Sequence, residues 1–219
     1  MSGLPADLAK VLADVRRPGA FAVSGRVELP APGVEVEGVG PVALPLLPAQ
    51  AEQLLAAAGP APYGRGTETL VDPAVRHCRQ IGAERARLTG RRWAETLASM
   101  VDRAAAGFGL AGAVEAEFYK LLLYPPGGFF VGHRDTEKAP GMFATLVVVL
   151  PSLHEGGELR VRHRGREEHL DLRPADAGEA GFAAFYADCV HEVRPVTADC
   201  RLALIYNLVR KPGYVTAPI

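Results

Sequence analysis

His133 and Asp135 stand one residue apart, directly after the glycine- and aromatic-rich stretch "YPPGGFFVG". A further histidine, His191, follows much later in "FYADCVHEVRP", where apolar residues alternate as they do along a half-buried strand. Two imidazoles and one carboxylate can hold one face of an iron(II) ion and leave its other positions open. Strands far apart in sequence become neighbours in a jelly roll, so the three side chains can meet. We therefore expect them to be the metal ligands and the catalytic residues.

Arg201 opens the apolar segment "RLALIYNL", a short distance after His191. A guanidinium at the start of a core strand is costly to bury unless it meets an anion. The residue is therefore a candidate for holding an anionic ligand close to the metal.

Two other motifs suggest different chemistry, and their context excludes both. The sequence His-Arg-Asp at 133–135 also begins a protein-kinase catalytic loop, but that loop requires asparagine where this chain has Pro140, and the chain contains no Asp-Phe-Gly. The stretch "GFGLAG" at 107–112 matches a dinucleotide-binding fingerprint, yet it follows a predicted helix and precedes a predicted strand, the reverse of the required order. Neither function is predicted.

The elements that must position the candidate residues are short strands. After Gly112 the sequence changes to short apolar runs with a period of two, separated by glycine, proline or aspartate. Such a pattern is typical of an antiparallel barrel or jelly roll. The runs predicted as strands are "VEAEFYKLLLY", "FATLVVVLP", "GELRVRHRG", "EEHLDL", "GFAAFYAD", "VHEVRPV" and "CRLALIYNLV".

The first half of the chain predicts helices and a few short strands. Amphipathic or capped patterns predict helices over 4–17, 48–59 and 90–109, and short strands over 20–48. The arginine-rich stretch 76–92 predicts a solvated helix face, with a surface for an acidic partner as the alternative. The fold class expected is mainly β with N-terminal helices and a double-stranded β-helix, or jelly-roll, core. We expect a single domain over 1–219, with 1–112 as an N-terminal helical and β elaboration and 113–212 as the catalytic core.

Composition and charge narrow the classes of partner. A hydrophobic content of 48% is sufficient for a substantial core, and a net charge of −1 does not favour binding to nucleic acid or to an anionic membrane. Three cysteines are too few for a disulfide scaffold. The N-terminal sequence contains no apolar run of the length of a signal peptide or membrane span. We therefore expect a cytoplasmic protein, with its oligomeric state left open.

Residues 118–210 resemble the catalytic core of the iron(II)/2-oxoglutarate-dependent oxygenases, and in particular the prolyl-4-hydroxylase-like group. The opening signature of that group is Tyr-x-x-Gly, an aromatic residue and then His-x-Asp. The positions that fall in register with it are Tyr124, Gly127, Phe130, His133 and Asp135. The stretch "HEGGELRV" resembles the glycine turn before a core strand, while His191 and Arg201 match the distal ligand and the basic residue for the co-substrate.

The resemblance implies Fe(II), 2-oxoglutarate and O2 as cofactor and co-substrates, with ascorbate as an optional reductant. It assigns the distal carboxylate of 2-oxoglutarate to Arg201. Relatives supply a further hydroxyl from the strand after His-x-Asp, or from two residues beyond the arginine, where this chain has Ala203. Tyr124 and Thr145 are therefore the candidate hydroxyls for binding the co-substrate.

The activity implied is hydroxylation of an unactivated C–H bond, in a peptide or protein side chain or in a small molecule. We expect residues 63–80 to border the substrate entrance. One alternative is a non-catalytic module that binds or senses iron and 2-oxoglutarate. Another is a cupin-type metalloprotein, which would require His-x-His where this chain has Asp135.

Overall fold

The structure is a computed structural model that describes residues 19–29, 33–65 and 68–210. Two α-helices lie in these ranges, α1 (Pro48–Ala57) and α2 (Arg91–Gly107). They confirm the helices predicted over 48–59 and 90–109, whereas the helix predicted over 4–17 lies outside the described residues. A proline occupies the first turn of α1, where no backbone donor is lost. None of the described helices has the length and apolar character that crossing a membrane requires.

Short strands make up most of the remaining structure. The strands before α2 are β1 (Ala22–Glu28), β2 (Gly33–Val36), β3 (Gly40–Val42), β4 (Gly59–Pro60), β5 (Tyr63–Arg65), β6 (Glu68–Leu70), β7 (Arg76–His77), β8 (Arg79–Gly82) and β9 (Ala86–Thr89). The strands after α2 are β10 (Val114–Tyr124), β11 (Phe129–His133), β12 (Met142–Val149), β13 (Glu155–Gly156), β14 (Leu159–His163), β15 (Arg166–Leu170), β16 (Glu179–Tyr186), β17 (Val190–Val193), β18 (Val196–Ala198) and β19 (Arg201–Arg210).

A seven-stranded antiparallel sheet forms the larger layer, in the order β1-β16-β12-β19-β10-β8-β4. The period of two along its strands separates two buried faces. On β19, Leu202, Leu204 and Tyr206 belong to a core on one side, and Ala203 and Ile205 belong to a second core on the other. The apolar run of β19 is continuous because both faces of this strand are covered.

Helix α2 covers the first of these faces. Trp93, Met100 and Ala104 on its apolar stripe are buried in the same core as β19. The indole nitrogen of Trp93 donates a hydrogen bond of 3.3 Å to the hydroxyl of Tyr206, which satisfies a polar group inside this core. The helix therefore supports the strand that carries Arg201 from the side opposite the candidate site.

A five-stranded antiparallel sheet, in the order β15-β14-β17-β11-β7, faces the second core. Its Phe130, Leu159 and Val193 pack with Leu122 and Val147 of the larger sheet. Two antiparallel sheets enclosing one core, in a chain dominated by strands, confirm the predicted mainly-β jelly-roll class. Three strands that precede residue 112, namely β1, β4 and β8, lie in the larger sheet, and the division at residue 112 stays a prediction.

The prediction of a solvated helix face over residues 76–92 is wrong. This stretch forms β7, β8, a short 3-10 helix at Ala83–Arg85, β9 and only the start of α2. Strand β8 pairs with β10, and β7 pairs with β11. These partners lie far along the chain, so tertiary pairing rather than local periodicity sets the conformation. One consequence is that Arg76 is buried instead of solvated.

Candidate metal centre and co-substrate site

Strands β11 and β17 bring the two candidate histidines together. In the register of this antiparallel pair, His133 lies directly opposite His191, and the centroids of their rings are 4.1 Å apart. Asp135 lies two residues beyond the end of β11. The three predicted ligands are thus adjacent although the sequence separates them widely, as expected for neighbouring strands of a jelly roll.

The three side chains have the separations of a metal-ligand set. One ligand atom from each of them lies within 4.8 Å of the other two. Oδ2 of Asp135 is 3.7 Å from Nε2 of His191, and Oδ1 is 4.0 Å from Nε2 of His133. The donors comprise two imidazoles and one carboxylate, the set that suits iron(II) with open coordination positions.

Backbone carbonyls orient both imidazoles. Nδ1 of His133 is 2.9 Å from the carbonyl oxygen of Val131, and Nδ1 of His191 is 3.3 Å from that of Cys189. A carbonyl only accepts hydrogen bonds, so each Nδ1 must carry the proton and donate it. In this tautomer the Nε2 of each histidine carries the lone pair, and this is the form that a metal ligand needs.

Aromatic rings fix the ligand side chains from behind. Phe130 stacks on His133 with centroids 3.4 Å apart, and Phe185 lies 4.5 Å from His191. The guanidinium of Arg76 lies 4.3 Å from the centroid of Phe130, on which it makes a cation–π contact. The imidazoles are therefore held by packing as well as by hydrogen bonds.

The protonation states suit a divalent cation. Burial, and then the charge of His191, hold the pKa of His133 well below its ordinary value, so this imidazole is neutral at neutral pH. Burial alone would raise the pKa of Asp135, but His191, the hydroxyl of Thr145 and His133 together outweigh it and lower that pKa. A neutral imidazole and an ionised carboxylate are the forms that bind metal.

Thr145 on β12 contacts the carboxylate directly. Its hydroxyl donates a hydrogen bond of 2.6 Å to Oδ2 of Asp135. The residue was predicted to bind the co-substrate, and that role stays a prediction. The contact in the structure is instead one that orients a candidate ligand.

Arg201 lies in the interior with an unsatisfied donor. Its side chain is 1% exposed, and Nη2 is buried without a hydrogen-bond partner among the described residues. Burial lowers its pKa, and no described carboxylate forms an ion pair with it. A buried guanidinium with a free donor has the chemistry to bind an external carboxylate, so the site fits the distal end of 2-oxoglutarate.

Tyr124 is the neighbour of Arg201 across the pair of strands β10 and β19. Its ring centroid is 5.2 Å from the guanidinium carbon. Burial strongly raises the pKa of Tyr124, so the phenol keeps its proton and can donate a hydrogen bond. Its predicted contact with the co-substrate stays a prediction.

One cavity contains all of these candidates. It lies between the two sheets and is open to solvent, and its lining includes His133, Asp135, His191, Arg201, Tyr124 and Thr145. From the stretch 63–80, which was predicted to border the substrate entrance, Tyr63, Gly64, Arg76 and Gln80 line the same cavity. The site residues predicted from the sequence therefore line one cavity.

Besides Arg201, two cationic residues of this cavity are at least partly buried, Arg76 and Lys120, and neither was predicted as a site residue from the sequence. The signal for Lys120 was present, because "KLLLY" places a lysine in an apolar strand just as "RLALIYNL" places Arg201. No comparable signal marked Arg76, whose stretch was interpreted as an exposed helix. Its position depends on the pairing of β7 with β11.

A family model described as the 2OG-Fe(II) oxygenase superfamily matches residues 119–209, which span β10 to β19 and include every candidate ligand. This segment, which is somewhat under half of the chain, is similar to that superfamily. The match confirms the family inferred from the sequence, the enzyme class of 2-oxoglutarate-dependent dioxygenase, and Fe(II), 2-oxoglutarate and O2 as its cofactor and co-substrates. Ascorbate and the cytoplasmic location stay predictions.

Several solved structures are similar to this chain. A 2OG-Fe(II) oxygenase family oxidoreductase from Burkholderia pseudomallei is 22% identical, covers 99% of this chain and 96% of its own, and has a TM-score of 0.44. A Pseudomonas putida prolyl-4-hydroxylase is 20% identical over 95% of this chain and 100% of its own, with a TM-score of 0.47.

A Trichoplax adhaerens prolyl hydroxylase in complex with a hypoxia inducible factor peptide fragment is 16% identical. The similarity covers 74% of this chain and 76% of that one, with a TM-score of 0.49. No curated protein matches the chain.

Proposed function

We propose that this protein is an iron(II)- and 2-oxoglutarate-dependent hydroxylase that acts on an unactivated C–H bond. In this proposal His133, Asp135 and His191 are the metal ligands, and Arg201 binds the distal carboxylate of 2-oxoglutarate. The observation that carries it is the unsatisfied Nη2 of Arg201, buried in the same cavity as three side chains of metal-ligand type.

Iron(II), 2-oxoglutarate and oxygen supply the oxidant for C–H hydroxylation when they are bound. The chain contributes position and electrostatics. The two Nε2 atoms and the carboxylate of Asp135 would hold the metal, and the hydrogen bond from Thr145 orients that carboxylate. The fork of Arg201 fixes the far end of the co-substrate, and the apolar side chains that line the cavity, such as Val147 and Phe185, limit access of water.

The substrate proposed is a peptide or protein side chain, or a small molecule with a similar aliphatic group. The resemblance of the Tyr124 to Asp135 signature to prolyl-4-hydroxylase-like enzymes supports a peptide side chain. The carboxylate of Asp135 supports hydroxylation, because related halogenases have a small residue at that position so that a halide can bind. A cavity that is open to solvent admits either class of substrate.

The test combines binding with turnover. Purified protein is titrated anaerobically with iron(II) and then with 2-oxoglutarate, after which oxygen is admitted and succinate is quantified in the presence of candidate peptides and metabolites. We expect stoichiometric iron, saturable 2-oxoglutarate binding and a substrate that gains one oxygen atom in mass. Binding of both ligands with no succinate from any candidate would favour the non-catalytic module. Absence of iron binding would overturn the assignment of the metal ligands.

A further inference from the structure

A second cationic position lies in the cavity apart from Arg201. On β10, Lys120, Leu122 and Tyr124 all line the cavity, and Tyr124 is the residue that pairs with Arg201. Lys120 is four residues from Tyr124, roughly 13 Å along the strand at the usual rise per residue. A 2-oxoglutarate molecule anchored on Arg201 and on the metal ligands does not account for this lysine.

An irregularity in β10 presents this part of the strand to the cavity. The register with β19 shifts between Phe118 and Lys120, which leaves Tyr119 without a partner in the ladder. Both Tyr119 and Lys120 line the cavity, although consecutive residues of a regular strand point to opposite faces. Bulges of this kind redirect side chains and recur next to active sites.

The ammonium of Lys120 is held but not neutralised. It donates a hydrogen bond of 3.1 Å to Oε1 of Gln80 and lies 4.5 Å from the ring centroid of Tyr119. An ammonium has three donors, and Gln80 is its only hydrogen-bond acceptor among the described residues. Burial, and then the positive charge of Arg76, lower the pKa of Lys120 to about 8, so it remains mostly charged at neutral pH.

The charges around the cavity are unbalanced. The cationic side chains in its described lining are Arg76, Lys120, Arg134, Lys138 and Arg201. Asp135 is the only acidic residue in the same described lining. Iron(II) and 2-oxoglutarate carry opposite charges of equal size, so their binding leaves this excess in place. A partly buried cation is stabilised when a ligand supplies the missing anion.

We infer that Lys120 and Gln80 form a second anion subsite, which binds a carboxylate of the molecule that is hydroxylated. The inference rests on the proposed function for the identity of that molecule and adds its chemical class, a substrate with a free carboxylate. Lys120 supplies the charge and two free donors, and the amide of Gln80 supplies a further donor beside it. The substrate chain then extends from this subsite towards the metal ligands.

The experiment uses the full-length protein loaded anaerobically with iron(II) and N-oxalylglycine, which fills the co-substrate position without turnover. Calorimetry measures the affinity for N-acetylated amino acids and for the corresponding amides, which match them in shape and lack the charge. We expect the acids to bind about tenfold or more tightly than the amides, since charge-assisted hydrogen bonds are stronger than neutral ones. Lys120→Gln should abolish this difference, and Lys120→Arg should retain part of it.

The matched control is Arg92→Gln, which removes a cation from the exposed side of α2, outside the cavity. It should keep the wild-type preference for acids. Equal affinities for acids and amides, or no binding by any probe, would overturn the inference, as would an unchanged preference in Lys120→Gln. Iron and N-oxalylglycine are quantified on the same samples. Their failure to bind would overturn the proposed function as well, whereas intact binding without a charge preference would overturn this subsite alone.

Discussion

The hydroxyl of Thr145 on β12 donates a hydrogen bond of 2.6 Å to Oδ2 of Asp135. A strand of the larger sheet therefore orients Asp135, which lies just beyond β11 of the smaller sheet. Outer partners of this kind orient metal ligands, and their loss typically lowers metal affinity about 10- to 100-fold. We expect Thr145→Val to weaken iron(II) binding within this range.

The matched variant is Thr145→Ser, which keeps the hydroxyl and should bind iron(II) close to the wild-type value. Anaerobic titration with a competing chelator measures both. If Thr145→Val retains full iron affinity but loses affinity for 2-oxoglutarate, then the hydroxyl serves the co-substrate, as the sequence suggested.

The hydrogen bond between Thr145 and Asp135 could not be predicted from the sequence. The alternation of "FATLVVVL" predicts which side chains share a face of the strand, and Thr145 does face the cavity. Which polar atom the hydroxyl meets depends on how far β11 and the residues after it extend across the larger sheet. No local pattern carries that information.

The fold was predictable to the extent that its strands are long and regularly patterned. The run "VEAEFYKLLLY" coincides with β10 from Val114 to Tyr124. The stretch 76–92 failed because its strands are short and are defined by partners elsewhere in the chain, β10 and β11. Charged residues there looked like a solvated helix, and only the tertiary structure shows that Arg76 is buried.

Removal of either histidine ligand should abolish iron binding and leave the fold in place. His133→Ala and His191→Ala each delete a donor from the set of three, and this loss should exceed the effect of removing an outer partner. The two sheets and their apolar cores, rather than a metal, account for most of the stability. Circular dichroism and anaerobic iron titration measure the two properties.

His169→Ala serves as the control because His169 lies on β15 with about half of its side chain exposed, at 51%. This variant should bind iron and form succinate like the wild type. A folded His133→Ala or His191→Ala protein that still produces succinate at the wild-type rate would remove that histidine from the ligand set.

Asp135→Gly should eliminate hydroxylation and open a coordination position. The carboxylate is the only anion among the three candidate ligands, so its removal also raises the net positive charge at the metal. Iron affinity should fall markedly, and a halide can enter the vacated position only if the cavity compensates for its desolvation. Succinate formation and product mass, measured with and without chloride, test this. Hydroxylation at the wild-type rate would exclude Asp135 from the site.

Gly157→Ala should weaken 2-oxoglutarate binding through Arg201. Gly157 has a φ of +71°, and a Cβ at this position would lie 2.8 Å from Cδ of Arg201. The clash displaces the guanidinium, and the left-handed backbone adds strain of about 1 to 2 kcal/mol. Gly165→Ala is the control, since Gly165 has a φ of +78° and no atom within 4 Å of the added Cβ.

Both glycine variants should lose stability in thermal unfolding through backbone strain, and Gly157→Ala should lose more because its added Cβ also clashes with Arg201. Only Gly157→Ala should lose affinity for 2-oxoglutarate, by about tenfold or more, which corresponds to about 1.4 kcal/mol. Equal affinities in the two variants would show that the position of Arg201 tolerates the substitution or that the co-substrate does not depend on it.

Arg201 itself separates co-substrate binding from metal binding. The guanidinium is buried with a free Nη2, and it can form two parallel charge-assisted hydrogen bonds with one carboxylate. Arg201→Ala should bind iron(II) normally but weaken 2-oxoglutarate by about 2 to 4 kcal/mol, the scale for truncating one partner of a buried charged pair. Arg201→Lys should fall between the two, because it keeps the charge and loses the fork.

The measurement is the anaerobic affinity for 2-oxoglutarate, with iron content determined on the same samples. Arg201→Ala also leaves a cavity beneath Tyr124, so a thermal melt must show that the variant is folded before its affinity is interpreted. Unaltered affinity in the folded alanine variant would place the anchor elsewhere. Arg76 and Lys120 are the other cations of the cavity wall that are at least partly buried, and Arg76→Ala and Lys120→Ala would then show which of them holds the distal carboxylate.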